Sequence, residues 1–516
     1  MNQPSARTLT AAAQLDPRLI REVAAGRPVT LGPALTRAVD AQCAAARRVL
    51  AGGQPVYGVN TGLGALSHVR LTPAQQLAHQ RNLLMGRATG GPPWLPAREV
   101  RALLAVRLAT FLSGDAGVSA QLCRRLTDFL AAGIVQAVPR EPAGSAGEIV
   151  QLAHAFGPLV GIGAVLAPGD SLPSAPQAGS AEPAQPAQPA RPASEALAEQ
   201  GLAEFTLGPK EGIALLAGVP GATALSLLAA AEAATVTAMM EATAALSIAA
   251  AGAPADPYDA VSARGDDVLG GVLHRLRAAL GSPARPARML QAPVSFRVAG
   301  PVLAQVVRAT EALDGAVGRA LAGVTDSPAF TGDRFVGTAG FHGIDLAAAC
   351  DQLTASIAHA AEVSAARTHR LLDARITGLA AQLAARPGPD AGLVAVHKRA
   401  AGQVHAIRRA AIPSAIGTIE TSNGQEDVQS FAWAAALGVA EALRRARVVT
   451  ACELLTACQA ARLASGRWAD GRWAGGCGRL LAELSGLIEP IEADRPLGAD
   501  IERLAAGSWL RPTAAG

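Results

Sequence analysis

Two tyrosines occur in the chain, Tyr57 and Tyr258, and the first stands in a setting that suits chemistry. The run Val56-Tyr57-Gly58-Val59-Asn60-Thr61-Gly62-Leu63-Gly64 sets three glycines around one phenol. Glycine at that density lets a backbone fold closely about a ligand or take positive φ, and a tyrosine presented from such a loop is a candidate acid or base. The plainer alternative is a turn tyrosine that packs its ring and pairs its hydroxyl. Three more stretches lack the helical repeat that dominates elsewhere: Gly144-Ser145-Ala146-Gly147-Glu148-Ile149 with Leu152-Ala153-His154 behind it, Lys210-Glu211-Gly212-Ile213-Ala214-Leu215-Leu216, and Thr421-Ser422-Asn423-Gly424-Gln425-Glu426-Asp427. The last sets an amide and two carboxylates side by side before a long apolar run. Such carboxylates either meet a polar ligand or cap the helix that follows.

The elements that must position these residues read as helix almost throughout. Apolar positions recur at i, i+3, i+4 and i+7 among alanine, leucine, arginine and glutamate, which predicts helices at Arg98–Ser113, Ala120–Ala132, Ala222–Ala251, Pro301–Gly323, Ile344–Leu372, Val394–Arg409 and Gln425–Ala464. Long alanine-rich helices, apolar over much of their circumference, pack closely in large bundles and often across subunits, so a helical oligomer is expected. Short extended pieces are expected at Pro55–Asn60 and Ala292–Arg297. The segment Pro168–Ser194, with its Pro-Ala-Gln repeat, reads as a disordered or polyproline-like insertion, and Ser282–Arg288 as a smaller linker.

Composition excludes several classes. The 45 Lys+Arg and 41 Asp+Glu are interspersed and leave a net charge of only +4, which gives no footing for nucleic acid or a membrane surface. The mean hydropathy is positive, but it comes from alanine: the apolar window Leu225–Gly252 is broken by Glu232, Glu241, serines and threonines, so no membrane span is expected. Six scattered cysteines without a CxxC pair point to reduced thiols and no metal site. The first residues carry no apolar run after a basic region, so no signal peptide is read there and a cytoplasmic location is expected.

Taken in order, the motifs resemble those of the histidine and aromatic amino acid ammonia-lyase family. The similarity runs from about Gln54 to Glu441 and includes the tyrosine loop, Gln80–Leu84 (QRNLL), the GSAGEIVQLAH stretch, KEGIALL, Ser295-Phe296-Arg297, Thr325-Asp326-Ser327-Pro328, Phe341-His342-Gly343 and Ser422–Asp427. The resemblance implies a mainly α protein, a long-helix bundle of the ammonia-lyase (fumarase/aspartase-like) type. It also divides the chain into 1–200, carrying the tyrosine loop and the triad and ending in the insertion 168–194, and 201–516, the central and C-terminal bundle. It further implies a carbon–nitrogen lyase acting on an α-amino acid of histidine or aromatic type, built as a homotetramer whose sites draw on more than one chain. Tyr57 then corresponds to the base, Arg297 to the clamp on the substrate carboxylate, and Glu426 to a polar group near the amine or ring. Asn60, Gly64, Arg87, Phe341 and Gln425 fall at substrate-facing positions.

The same resemblance exposes a departure. Family members use methylidene-imidazolone, formed when an Ala-Ser-Gly tripeptide cyclises and its serine loses water. The matching tripeptide here is Ser145-Ala146-Gly147. Alanine at the middle position has no leaving group on its β-carbon, so this electrophile is not expected to form. Ser145 occupies the first position, and a shifted register would leave alanine rather than glycine as the cyclising nitrogen. Ala217, Ala292, Val294 and Gly340 also replace family residues, and Gly86 and Arg87 occupy the pair that selects the substrate ring. Arg297 and Arg87 each have a plain alternative, an ion pair between helices and an exposed helix arginine respectively. Two functions follow: a lyase with a rewired site, or an inactive relative that binds a small amino acid or carboxylate as a regulatory or scaffold protein.

Overall fold

Pro220–Ala251 is apolar around its whole circumference, and a helix of that kind is stable in water only when other helices surround it. The computed structural model, which describes residues 5–167, 189–281, 287–465 and 475–510, places it accordingly. Ala97–Leu112, Ala299–Ala322 and Ala432–Ser465 all pack on it, while Ile344–Leu371 and Val394–Ala410 pack on Ala432–Ser465. One continuous core of alanine, leucine and valine links these helices from Leu9 to Trp509. The stretch Glu211–Ala251 is long and apolar enough to cross a membrane, and its apolar window lies wholly inside the bundle.

The helix ends follow local chemistry. Thr72 and Gln75 form a reciprocal capping box on Pro73–Met85, and the Ser119 hydroxyl accepts from the Leu122 N–H to start Ala120–Ala132. Pro220–Ala251 has no cap from its own neighbour; instead the Glu148 carboxylate accepts from the N–H groups of Gly221 and Ala222 at 2.7 and 2.6 Å. A bidentate Arg367–Glu453 pair at 2.6 and 2.9 Å, joined by the Ser364 hydroxyl at 2.6 Å, ties Ile344–Leu371 to Ala432–Ser465 inside the core.

The expected helices are present within a few residues, with one correction. The last long helix begins at Ala432, not Gln425. Ser422, Asn423 and Phe431 all have φ between +50 and +57°, which no α-helix tolerates, so residues 422–431 form a 3-10 turn and an irregular strap. Glu426 and Asp427 therefore cap nothing on that helix. The two expected extended pieces are also corrected. Pro55–Asn60 is a turn, with Val59 and Asn60 N–H both donating to the Val56 carbonyl, and Val294–Phe296 is a 3-10 turn behind Pro293. Strand pairing occurs elsewhere: Arg7–Leu9 parallel to Val29–Leu31, and antiparallel pairs of Ala164–Leu166 with Ala190–Pro192 and of Ala329–Phe330 with Phe335–Val336. Most of the Pro/Ala-rich insertion lies outside the described residues. Its described end departs from the expected disorder: Ala190–Pro192 is a strand and Ala193–Glu199 a helix. Of the linker, 282–286 lies outside the described residues.

Candidate active site

The tyrosine loop closes on itself. Asn60 is buried, its Oδ1 accepting from the Val56 N–H at 2.7 Å and its Nδ2 donating to the Gln54 carbonyl at 2.7 Å, so the side chain is used up in holding the turn. Gly58 takes φ +66°, and a Cβ there would press on Ile213 and Leu63. The Gly64 N–H donates to the Tyr57 hydroxyl at 2.8 Å, which fixes a ring that stays 39% exposed. Behind the loop, fully buried Gln80 donates to the Gly58 carbonyl at 3.0 Å and accepts from the Ile213 N–H at 3.0 Å. Gly212 must be glycine for this approach, since a Cβ would fall 2.3 Å from the Gln80 carbonyl oxygen. QRNLL and KEGIALL thus serve to seat the tyrosine loop.

The second wall is the triad loop. Ala146 and Gly147 line the cavity, whereas Ser145 is buried and its hydroxyl donates to the Gly147 carbonyl at 2.7 Å. Glu426 reaches this loop from the strap: its carboxylate accepts from the Ser422 hydroxyl at 2.8 Å, from the Thr421 hydroxyl at 3.3 Å and from the Ala146 N–H at 3.4 Å. Methylidene-imidazolone does not fit the residues present. The side chain at the middle of the triad is a methyl group, and the one hydroxyl of the triad is turned onto a backbone carbonyl.

Between these walls lies a cavity of about 780 Å³. Of the residues expected at a site, it gathers Tyr57, Gly64, Arg87, Ala146, Gly147, Phe341, Gln425 and Glu426. It does not gather Ser145, Asn60 or Arg297. Arg297 follows the turn Val294–Phe296, whose backbone is pinned by the Tyr258 hydroxyl on the Phe296 carbonyl and by Arg367 on the Ser295 carbonyl at 3.2 Å. Arg297 is half-buried and its Nε has no hydrogen-bond partner among the described residues. The cavity's apolar wall, which includes Ile149, Leu216 and Phe335, carries no sequence signal distinct from core packing.

Fixed charges sit behind the wall. Lys210 and Asp326, from KEGIALL and the Thr325–Pro328 motif, form a buried pair at 2.7 Å. Arg107 is fully buried against Phe111 and Phe156, donates to the Ala217 carbonyl, and leaves Nε and Nη1 without partners among the described residues. Burial pushes the Glu148 carboxyl up to about 7, against the opposing pull of the Ala222 and Gly221 N–H groups and of Arg107. Burial also pushes the Arg87 guanidinium down, with Tyr57 and Glu426 opposing it.

The constellation is a glycine-held tyrosine and a tripeptide loop lining one cavity in a long-helix bundle. The chain belongs to the aromatic amino acid lyase family, whose sequence profile matches residues 15–482. It is 30% identical over 498 residues to a histidine ammonia-lyase of Symbiobacterium thermophilum, covering 95% of this chain and 94% of that one. It is 32% identical over 449 residues to that of Rhodospirillum rubrum, covering 84% and 83%. In structure it is similar to an ergothioneine-degrading ergothionase from Treponema denticola, with a TM-score of 0.86, 23% identity and 98% of each chain covered.

Proposed function

We propose that the chain is a carbon–nitrogen lyase acting on a small α-amino acid by a route that does not use methylidene-imidazolone. The observation that supports this reading is the shared cavity, which Tyr57, Glu426 and Ala146 all line, with Glu426 held against the Ala146 N–H; by the sequence resemblance, Ala146 corresponds to the serine from which the family's electrophile arises. Tyr57 is the proposed base. It takes a proton from the carbon next to the one bearing nitrogen, the released electron pair forms the carbon–carbon double bond, and the amine departs with the C–N electrons. Without a covalent electron sink, the substrate must combine an acidic proton with a good leaving group. Glu426 is the proposed partner of the substrate nitrogen, and Arg297 that of the carboxylate, because a guanidinium grips a carboxylate in bidentate fashion. Arg297 lies outside its own chain's cavity, so in this reading it reaches the cavity of a neighbouring copy within a homotetramer. The six described cysteines are all free and buried, which agrees with a reducing cytoplasm.

The first experiment is intact and peptide mass spectrometry across Ala143–Glu148, followed by an ammonia-release assay on α-amino acids. An unmodified mass together with ammonia release that is lost in Tyr57→Phe is the expected result. Loss of water within Ala143–Glu148 would overturn the electrophile-free route. Ala146 also favours a second reading, a non-catalytic relative that binds an amino acid or carboxylate; ligand-dependent thermal stabilisation without any ammonia release identifies it.

A further inference from the structure

Arg87 is the one cationic side chain among the residues lining the cavity, and among the described residues it makes no ion pair, the charges of Glu426 and Tyr57 acting on it only from beyond contact. Arg87 follows the helix Pro73–Met85, is half-buried and lines the cavity. The one hydrogen bond of its side chain among the described residues runs from Nη1 to the Leu83 carbonyl at 3.3 Å, a long contact back to the last turn of that helix. No carboxylate among the described residues lies within ion-pair distance of it. Glu426, the acidic residue lining the cavity, is committed to Ser422, Thr421 and the Ala146 N–H. Burial, helped by the Arg87 charge, pushes the His79 imidazole down, and a histidine supplies no anion in either protonation state. The surrounding wall is largely apolar, with Leu63, Leu66, Ile213 and Phe341 among its side chains.

A guanidinium in such surroundings costs free energy unless an anion meets it, and its planar fork is suited to a carboxylate or sulfonate. We infer that Arg87 binds an anionic group on the substrate side chain, so the substrate is an amino acid with an acidic side chain rather than a neutral aromatic or imidazole ring. The inference rests on the lyase reading for the placement of the α-carboxylate at Arg297 and of the nitrogen at Glu426. Those two partners account for the amino acid backbone and leave Arg87 for the side chain. A cavity of about 780 Å³ takes either a short acidic side chain or one extended by a ring.

The test uses matched ligands that differ in the anionic group alone: L-glutamate against L-glutamine, and 4-carboxy-L-phenylalanine against L-phenylalanine. Their affinities are measured by calorimetry on the full chain, Arg87→Gln and Arg87→Lys. The expected result is that the anionic member of at least one pair binds tenfold or more tightly than its neutral partner. Arg87→Gln then erases the preference and Arg87→Lys keeps part of it, with both variants melting within a few degrees of the parent. The inference is overturned if neutral members bind as well as anionic ones, if no member of either pair binds, or if the preference survives Arg87→Gln. It is equally overturned if Arg87→Gln weakens L-glutamine and L-glutamate by the same factor, since Arg87 would then hold the α-carboxylate. Ammonia release is followed in parallel. An Arg87-dependent preference without turnover leaves this inference standing and defeats the lyase reading, whereas release from neutral ligands at a rate unchanged in Arg87→Gln does the reverse.

Discussion

A tyrosine whose oxygen accepts a backbone N–H is oriented before any substrate arrives, and Tyr57 owes its orientation to Gly64 and to the turn that Asn60 braces. Removing the hydroxyl in Tyr57→Phe leaves only an exposed N–H unpaired. Its thermal stability should change by about 1 kcal/mol or less, while ammonia release falls by roughly 100-fold or more, as general acid–base groups usually require. A melting curve and a rate assay on the same preparation check both halves. Glu148 supplies a pH signature. Its folded-state pKa of about 7 lies above the roughly 4.3 of an unfolded glutamate. The folded chain therefore keeps a proton that the unfolded chain has released, and the associated stability is full below about pH 4.3 and lost as pH rises through 7. Relative to Glu148→Gln, the parent should lose up to about 3 kcal/mol between these limits, measured by urea unfolding at a series of pH values.

At the scale of elements, one side chain joins three motifs. Gln80 bridges the tyrosine loop and the helix Glu211–Leu216, and truncating it leaves the Gly58 carbonyl and the Ile213 N–H buried without partners. Gln80→Ala should cost about 2–4 kcal/mol in denaturant unfolding and loosen the tyrosine loop enough to weaken ligand binding. Helices were the most legible part of the sequence, because alanine and leucine at a 3.6-residue period leave no other structure that buries them. The motif residues were legible as a set, and eight of the eleven expected at the site meet in one cavity. What the sequence hid depends on long-range contacts. Asn60 and Ser145 spend their polar atoms on their own loops. Phe431, a bulky residue at φ +50°, breaks a helix that periodicity alone would have extended, and no local residue announces that break. The remote cap that Glu148 places on Pro220–Ala251 spans over 70 residues of sequence, beyond the reach of any local signal.

For the whole molecule, the separation of Arg297 from Tyr57 within one chain gives a sharp expectation. If the two residues meet between copies, Tyr57→Phe and Arg297→Gln subunits are each inactive alone. Co-expressed and purified as mixed assemblies, they should recover a fraction of parental ammonia release, since some interfaces then pair an intact Tyr57 with an intact Arg297. Absence of recovery in verified mixed assemblies would place both residues in one chain's site. The central helix carries a different consequence, for biosynthesis. Pro220–Ala251 is covered by Ala432–Ser465, which leaves the ribosome about 200 residues later. At roughly 5–20 residues per second, that is a wait on the order of 10–40 seconds with one side of a membrane-like segment uncovered. A nascent chain in that state is a natural client for holding chaperones, and it competes with its siblings for aggregation until its C-terminal third is made.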